Sequence, residues 1–301
     1  MADPIVSVIT GTFNKASYVR RTIESVLSQT FTEFEYLVID DCSTDGTLEI
    51  LREFGDRIRL VERGSNSSVP GIPRNQGMAE ARGKYVAFLD ADDLWDPDKL
   101  TRHVAYMEAH PEFPLSHTYC RVIDNNDVVQ RVRHEGMLPP AGFCFKAMLK
   151  HCWVTTSTVM LQRALFQELG GMREEPVWRT GEDYEYYMRI AARHPIGLVD
   201  EVLAAYRGQG VGESISQESS NWRGMPEFVP VLLDLLEQPS SWAGAADVHD
   251  VKEALRSSCL DNGNFWLENG RKDHARWFAK TLLRHRLLEM SGLKLFLKSL
   301  G

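Results

Sequence analysis

A chain of 301 residues, 43% hydrophobic and 25% charged, can fill one large core or two smaller ones. Its formal net charge of −8 and pI near 5.6 argue against the broad basic footprint of a nucleic-acid binder, so no nucleic acid is expected as a partner. Cys42, Cys120, Cys144, Cys152 and Cys259 are scattered and form no C-x-x-C pair, there is no signal-like amino terminus, and no stretch approaches about 20 apolar residues, so a cytoplasmic protein is expected.

Residues 5–10 are β-branched and predict a first strand ending at Gly11-Thr12-Phe13-Asn14. Residues 18–29 then place Val19, Ile23, Val26 and Leu27 at helical spacing, the opening of a βαβ unit. The turn between them has neither G-x-G-x-x-G nor a G-K-[ST] ending, which leaves dinucleotide folds and P-loops unsupported. Residues 34–39 predict a second strand that stops on Asp40-Asp41, with Ser43 or Thr44 as cap and Asp45 in the first turn of a helix over 47–54. One cap needs one oxygen; the Asp40-Asp41 pair reads either as part of the same turn and cap or as a carboxylate that accepts from a base N–H or a ribose hydroxyl. A strand over 58–62, a Gly/Ser/Pro-rich loop over 64–73 and a short helix over 74–81 follow; Arg74 is either a surface cation or a fixed guanidinium near a diphosphate.

Residues 85–89 are a short apolar run, a strand buried on both faces, that ends in Asp90, Asp92 and Asp93. The carboxyl ends of strands are where open α/β sheets bind ligands. Three carboxylates within four residues repel one another, and the charge is answered either by a divalent cation holding an anionic ligand or by a solvated, helix-capping turn. Asp96-Pro97 reads as the N-cap and N1 of a helix that turns Leu100, Val104 and Met107 inward.

Beyond residue 110 an edge strand over 116–123, a turn at Asp124-Asn125-Asn126-Asp127 and a strand over 128–132 are expected, with His117 and His134 as surface or satisfied polar residues. A strand over 153–160 and a helix over 164–169, ended by Gly170-Gly171, come next. Tyr184, Tyr187, Met188 and Ala191 share one helical face, which puts Glu182-Asp183 in the first turn, where acids stabilise a helix by about 0.3–1 kcal/mol or else face a substrate. Trp178 before it is a sugar-ring platform or a core residue. A last strand over 199–206 precedes helices over 228–236, 248–259 and 271–288. The final helices carry Arg271, Lys272, Arg276, Lys280, Arg284, Arg286, Lys294 and Lys298 beside Trp277, Phe278, Leu282, Leu283, Leu287 and Leu288: a solvated basic face, a peripheral contact with anionic lipid, an acceptor site or a dimer face.

The ordered set V-S-V-I, Phe13-Asn14, S-x-x-x-Q-T-F-x-x-F-E (residues 25–35), V-I-D-D-x-S-T-D-G-T, R-N-x-G and F-L-D-x-D-D resembles the family-two glycosyltransferases of bacterial, non-processive type. The resemblance implies the GT-A fold, a Rossmann-like mixed sheet flanked by helices, over residues 1–216, with a helical extension over 217–301. It implies that Asp41 meets the uracil of a UDP-sugar, that Asp90 meets the ribose, and that Asp92 coordinates Mn²⁺ or Mg²⁺ bridging the diphosphate. Thr10, Gly11, Phe13 and Arg74 would lie on the same nucleotide side, Phe13 offering a ring face where the family usually has Tyr. G-G-M-x-E followed by Glu182-Asp183 corresponds to the acceptor side, with Asp183 as catalytic base and Trp178 and Glu182 beside it. Gln209 stands nearest to a His that relatives hold near the metal, and the Q-x-x-R-W of processive synthases is missing.

The expected function is inverting transfer of one sugar from a nucleoside-diphosphate sugar, UDP-sugar favoured, to a hydroxyl of a glycan, lipid-linked sugar or protein, in cell-surface polysaccharide or glycoconjugate synthesis. A sugar nucleotidyltransferase would need a Gly-rich basic phosphate loop that residues 11–15 do not supply, and a non-catalytic sugar-nucleotide or glycan binder is the third reading.

Overall fold

The computed structural model describes residues 3–208, 228–268, 270–287 and 290–300. In chain order its elements are β1 (Val6–Thr12), α1 (Val19–Leu27), β2 (Phe34–Asp40), α2 (Thr47–Arg52), β3 (Arg59–Glu62), α3 (Gly71–Glu80), β4 (Tyr85–Phe88), β5 (Leu94–Trp95), α4 (Lys99–Ala109), β6 (Leu115–Ile123), β7 (Val129–Val132), α5 (Phe145–Met148), β8 (Met160–Gln162), α6 (Ala164–Leu169), α7 (Glu182–Ala191), β9 (Ile196–Arg207), α8 (Phe228–Glu237), α9 (Val248–Glu268), α10 (Lys272–Arg284) and α11 (Met290–Leu300). Two compact units result: residues 1–144 with 152–210, and residues 145–151 with 211–301. The expected border near 216 did not include the excursion of residues 145–151 into the second unit.

The first unit is built on a mixed sheet in the order β3-β2-β1-β4-β8-β6-β9-β5, with β7 paired to β6. β3, β2, β1 and β4 run parallel, and β8 is antiparallel to both β4 and β6. In the ladders Thr12 lies opposite Asp40 and Ile9 opposite Phe88. That register delivers Asp40-Asp41 and the turn from Asp90 to Asp93 to one rim of the sheet. Val6, Val8, Val38 and Ala87 bury one face against Val19, Ile23, Leu100 and Met107 of α1 and α4. On the other face α3 lies so close to β1 that a Cβ on Gly77 would stand 2.5 Å from Ile9 Cγ2, so only glycine fits there.

Several elements differ from the sequence expectation. β6 is internal to the sheet, not an edge: Ser116, His117 and Thr118 are buried, and their polarity disguised a core strand. His117 is therefore not at the surface: it is buried, and burial pushes its imidazole down to about 4 against a hydrogen bond with the Thr118 backbone. Of the strand expected over 153–160 only Met160 is one, as the start of the short β8; a 3-10 turn occupies Thr156–Thr158 before it. Helix α3 begins three residues before Arg74, at Gly71. Neither Ser43 nor Thr44 caps α2; Asp45 accepts from the Thr47 N–H at 3.0 Å. Asp96 does not cap α4 but pairs with Arg121 at 2.8 Å.

The second unit packs α5 with α8–α11. Phe145 of α5 stacks on Trp242 with ring centroids 6.0 Å apart, and Lys146 meets Asp250 at 2.8 Å. Leu232, Leu255, Cys259, Phe278, Leu282 and Leu295 are buried in it. Helix α9 extends nine residues beyond the expected end at 259, and α11 lies beyond the last expected helix, which ended at 288.

Candidate active site

Two loops at the carboxyl rim hold each other. Asn14, after β1, donates its N–H to Ser43 Oγ at 2.9 Å and accepts the Thr44 N–H on Oδ1 at 2.8 Å. The Lys15 N–H donates to Thr47 Oγ1 at 2.8 Å and the Ala16 N–H to Asp45 Oδ2 at 3.0 Å. The S-T-D-G sequence after β2 thus stitches the β2–α2 loop to the β1–α1 loop, and Asn14 and Cys42 both sit at positive φ, 52° and 67°. Phe13 is left 40% exposed at the tip of this pair of loops, the ring face expected for a base. Thr10 is fully buried opposite Val38 in the β1–β2 ladder, its hydroxyl donating to the Leu89 carbonyl at 2.8 Å, so it does not face the rim; Gly11 pairs with Ile39 in the same ladder.

Asp41 is buried and heavily engaged. It accepts from Arg63 Nε at 2.8 Å, Ser67 N at 2.9 Å, Ser67 Oγ at 2.7 Å and Asn66 Nδ2 at 3.1 Å. A base that is to reach this carboxylate must take over one of those donors.

The acidic turn after β4 divides its carboxylates among different partners. Asp90 accepts from Arg74 Nη2 at 2.6 Å, and its own N–H donates to Ser157 Oγ at 3.0 Å. Asp92 Oδ2 accepts from Lys15 Nζ at 2.6 Å. Asp93 points inward, 1% exposed, between Ser157 Oγ at 2.5 Å and the Arg207 N–H at 2.7 Å. Burial, then the charges of Asp92 and Asp90, push Asp93 well above the ordinary carboxylate range. Its role is to close the turn, the structural alternative for this acidic cluster. Arg207 braces the same turn from β9, donating from Nε to the Asp92 carbonyl at 2.7 Å.

Helix α7 starts after Gly181, whose φ of 86° lets the chain turn into it. Glu182 is buried and takes Arg74 Nη1 at 2.5 Å, so one guanidinium joins Asp90 to the acid pair of α7. Asp183 is half-buried; its Oδ2 accepts from Thr156 Oγ1 at 2.6 Å and its Oδ1 from the Tyr184 N–H at 2.7 Å. Tyr187 stands behind Thr156 at 3.3 Å, and burial followed by the Asp183 charge pushes its phenol up, keeping it a donor. Trp178 lies in the core at 6% exposure with Arg173 over its ring at 5.9 Å, which settles the platform-or-core alternative in favour of core. Gln209 lies outside the described residues.

Three carboxylates share the Arg74 charge. Burial works against the guanidinium, but Asp90, Glu182 and Asp183 outweigh it and hold Arg74 above its usual range. For Glu182, burial and then Asp183 win over Arg74 and push the carboxyl up to about 8.

Lys15, Arg63, Thr156, Ser157 and Arg207 were not singled out in the sequence as partners of the site. Asn75, of the R-N-x-G motif, serves packing: it donates to the Met172 carbonyl at 2.8 Å and accepts the Met172 N–H at 2.8 Å, fixing the segment before α7.

The donor set decides what metal would fit. Among the described residues no group of three or more His, Cys, Asp or Glu is placed to hold an ion. Asp92 offers hard carboxylate oxygen, as Mg²⁺ and Mn²⁺ prefer, and one such ligand suffices when substrate phosphates complete the shell. The residues therefore fit an ion shared with a diphosphate.

The mixed sheet with acids along its carboxyl rim is the GT-A glycosyltransferase fold: Staphylococcus aureus TarS in complex with UDP-GlcNAc superposes with a TM-score of 0.63 at 19% identity over 98% of this chain and 79% of that one. The family model for glycosyl transferase family 2 matches residues 7–170. A Bacillus subtilis protein named for teichuronic acid biosynthesis, TuaG, is 33% identical over 225 residues, 73% of this chain and 84% of that one. Escherichia coli WfgD, named as a UDP-Glc:α-D-GlcNAc-diphosphoundecaprenol β-1,3-glucosyltransferase, is 33% identical over 240 residues, 79% of this chain and 89% of that one. Longer relatives from Rickettsia are spanned over only 33–34% of their length. The chain belongs to glycosyl transferase family 2.

Proposed function

We propose that this glycosyltransferase moves a single sugar from a UDP-sugar to the hydroxyl of a lipid-linked sugar, with inversion. The observation that carries the reading is the bridge through Arg74, which brings Asp90 and the Glu182-Asp183 start of α7 together on one guanidinium. UDP and the lipid-linked acceptor are supported by what WfgD is named to use. Asp183 would take the acceptor proton, its carboxylate aimed by Thr156 and Tyr184 N–H. Phe13 would stack on the base and Asp41 would exchange one of its present donors for the base N–H. Lys15 and Arg74 supply positive charge at the rim where a diphosphate is released. A divalent ion held by Asp92 and the diphosphate would add Lewis-acid stabilisation of the leaving group.

Calorimetric titration of UDP, GDP, dTDP and CDP, with and without Mn²⁺, tests the donor half. Binding of UDP that is strengthened by Mn²⁺ in the wild type and lost in Asp92→Ala is expected; no nucleotide binding by the folded protein overturns the proposal. Asp183→Asn tests the acceptor half: transfer should fall about 10²–10⁴-fold with UDP affinity unchanged. Transfer that survives in this variant removes the base assignment.

A further inference from the structure

The outer face of α11 is apolar where its inner face already has a core to bury. Leu295 and Ser299 point inward, and a Cβ on Gly263 of α9 would stand 2.4 Å from Leu295 Cδ2, so the helix is anchored on that side. On the opposite side Leu293, Leu297 and Leu300 are 39%, 58% and 54% exposed. Their spacing of four and three residues makes them one ridge, and Lys294 and Lys298, also exposed, run beside it at a spacing of four. On α10 Trp277 is 50% exposed as well. Charge is equally uneven: residues 271–300 hold eight lysines and arginines against Asp273 and Glu289, in a chain whose net charge is −8.

We propose that this face of the second unit docks in the plane of an anionic lipid bilayer. An apolar ridge with a cationic flank is the pattern by which a helix lies at the headgroup boundary, its leucines below the phosphates and its lysines among them. As described, the helix covers eleven residues, about 16 Å, and no described helix is long and apolar enough to cross a membrane. The charge selects the surface. A chain of net charge −8 is repelled by anionic lipid as a whole, so Lys294 and Lys298 beside the ridge supply the local attraction that selects this face. The inference stands apart from the transferase reading, because lipid docking can fail while UDP binding and transfer persist.

Co-sedimentation of the full chain with vesicles of phosphatidylglycerol and phosphatidylcholine, or phosphatidylcholine alone, at low and high salt is the test. Wild type should pellet with the anionic vesicles only, and less at high salt. Lys294→Gln/Lys298→Gln should weaken partitioning about thirtyfold, at about 1 kcal/mol per cation. Leu293→Ser/Leu297→Ser should weaken it at least tenfold while keeping the wild-type circular dichroism and UDP affinity. The proposal is overturned if wild type stays in the supernatant, if neutral vesicles bind it equally, or if the leucine variant binds as well as wild type. A concentration-dependent dimer abolished by the leucine variant would assign the ridge to a second copy and overturn it too.

Discussion

At the rim of the sheet the acids do not act as one cluster, because each has a separate partner. Lys15 sits 2.6 Å from Asp92 and occupies an oxygen that a divalent ion would use. Lys15→Met should therefore raise the affinity of the nucleotide-free protein for Mn²⁺ about tenfold, the worth of one charge-assisted hydrogen bond, while weakening metal-free UDP binding. Titrations in which neither constant moves would show that Lys15 acts at neither. Glu182 contributes one part of the pH dependence. Its carboxyl is raised in the folded chain from 4.5 to about 8, so its contribution to stability is fully present below about 4.5 and is lost as pH rises through about 8. Glu182→Gln should flatten that decline by up to one proton, read as the urea midpoint against pH; parallel curves for the two proteins would place the titration elsewhere. Asp90, Asp92 and the Glu182-Asp183 pair were legible in the sequence because each stands in a short local motif at an element end. Lys15 and Arg63 were not, since their carboxylate partners lie 77 and 22 residues away and nothing local to either marks a contact.

Among the elements, the 3-10 turn Thr156–Thr158 has the largest part in placing the chemistry. Ser157 accepts the Asp90 N–H and reaches Asp93, while its neighbour Thr156 donates to Asp183. The Asp90–Asp93 turn and Asp183 are thus spaced by two consecutive hydroxyl residues. Thr156→Val, which keeps the shape and removes the donor, should lower kcat about tenfold with the UDP affinity intact; wild-type kcat would make the hydroxyl incidental. The Val-Thr-Thr-Ser-Thr-Val composition around this turn reads as a strand, because β-branched residues favour extended backbone when nothing else competes. Here the Thr158 N–H closes onto the Thr155 carbonyl at 2.8 Å and the Thr158 hydroxyl bonds the same oxygen, a local alternative to a ladder. β6 failed for the converse reason, a polar pattern that proved to be core. Helices α1 and α4 were legible because their apolar residues recur at the helical period and bury one face.

Across the whole molecule the two units are not divided by a single cut in the chain. Phe145, Met148 and Leu149 are 2%, 1% and 2% exposed in the second unit, yet they lie in sequence between β7 and β8 of the first. A chain ended at residue 216 should therefore aggregate on size-exclusion chromatography, and Phe145→Ser/Met148→Ser in the same shortened chain should restore a monomer; a well-behaved monomer without those changes would show the segment to be self-sufficient. Composition shift alone pointed to a border after β9, and it could not reveal an apolar segment on loan to the other unit. The rims of the large sheet have a different consequence. It ends in β3, with four residues, on one side and in β5, with two, on the other, while β7 adds four more beside β6. Arg59 and Glu62 on β3 are tied to Glu80 and Arg52, and β7 carries Gln130 and Arg131. None of these margins offers a long, flat, apolar row of free amides, so a sheet of nine strands is kept from templating its own fibrils.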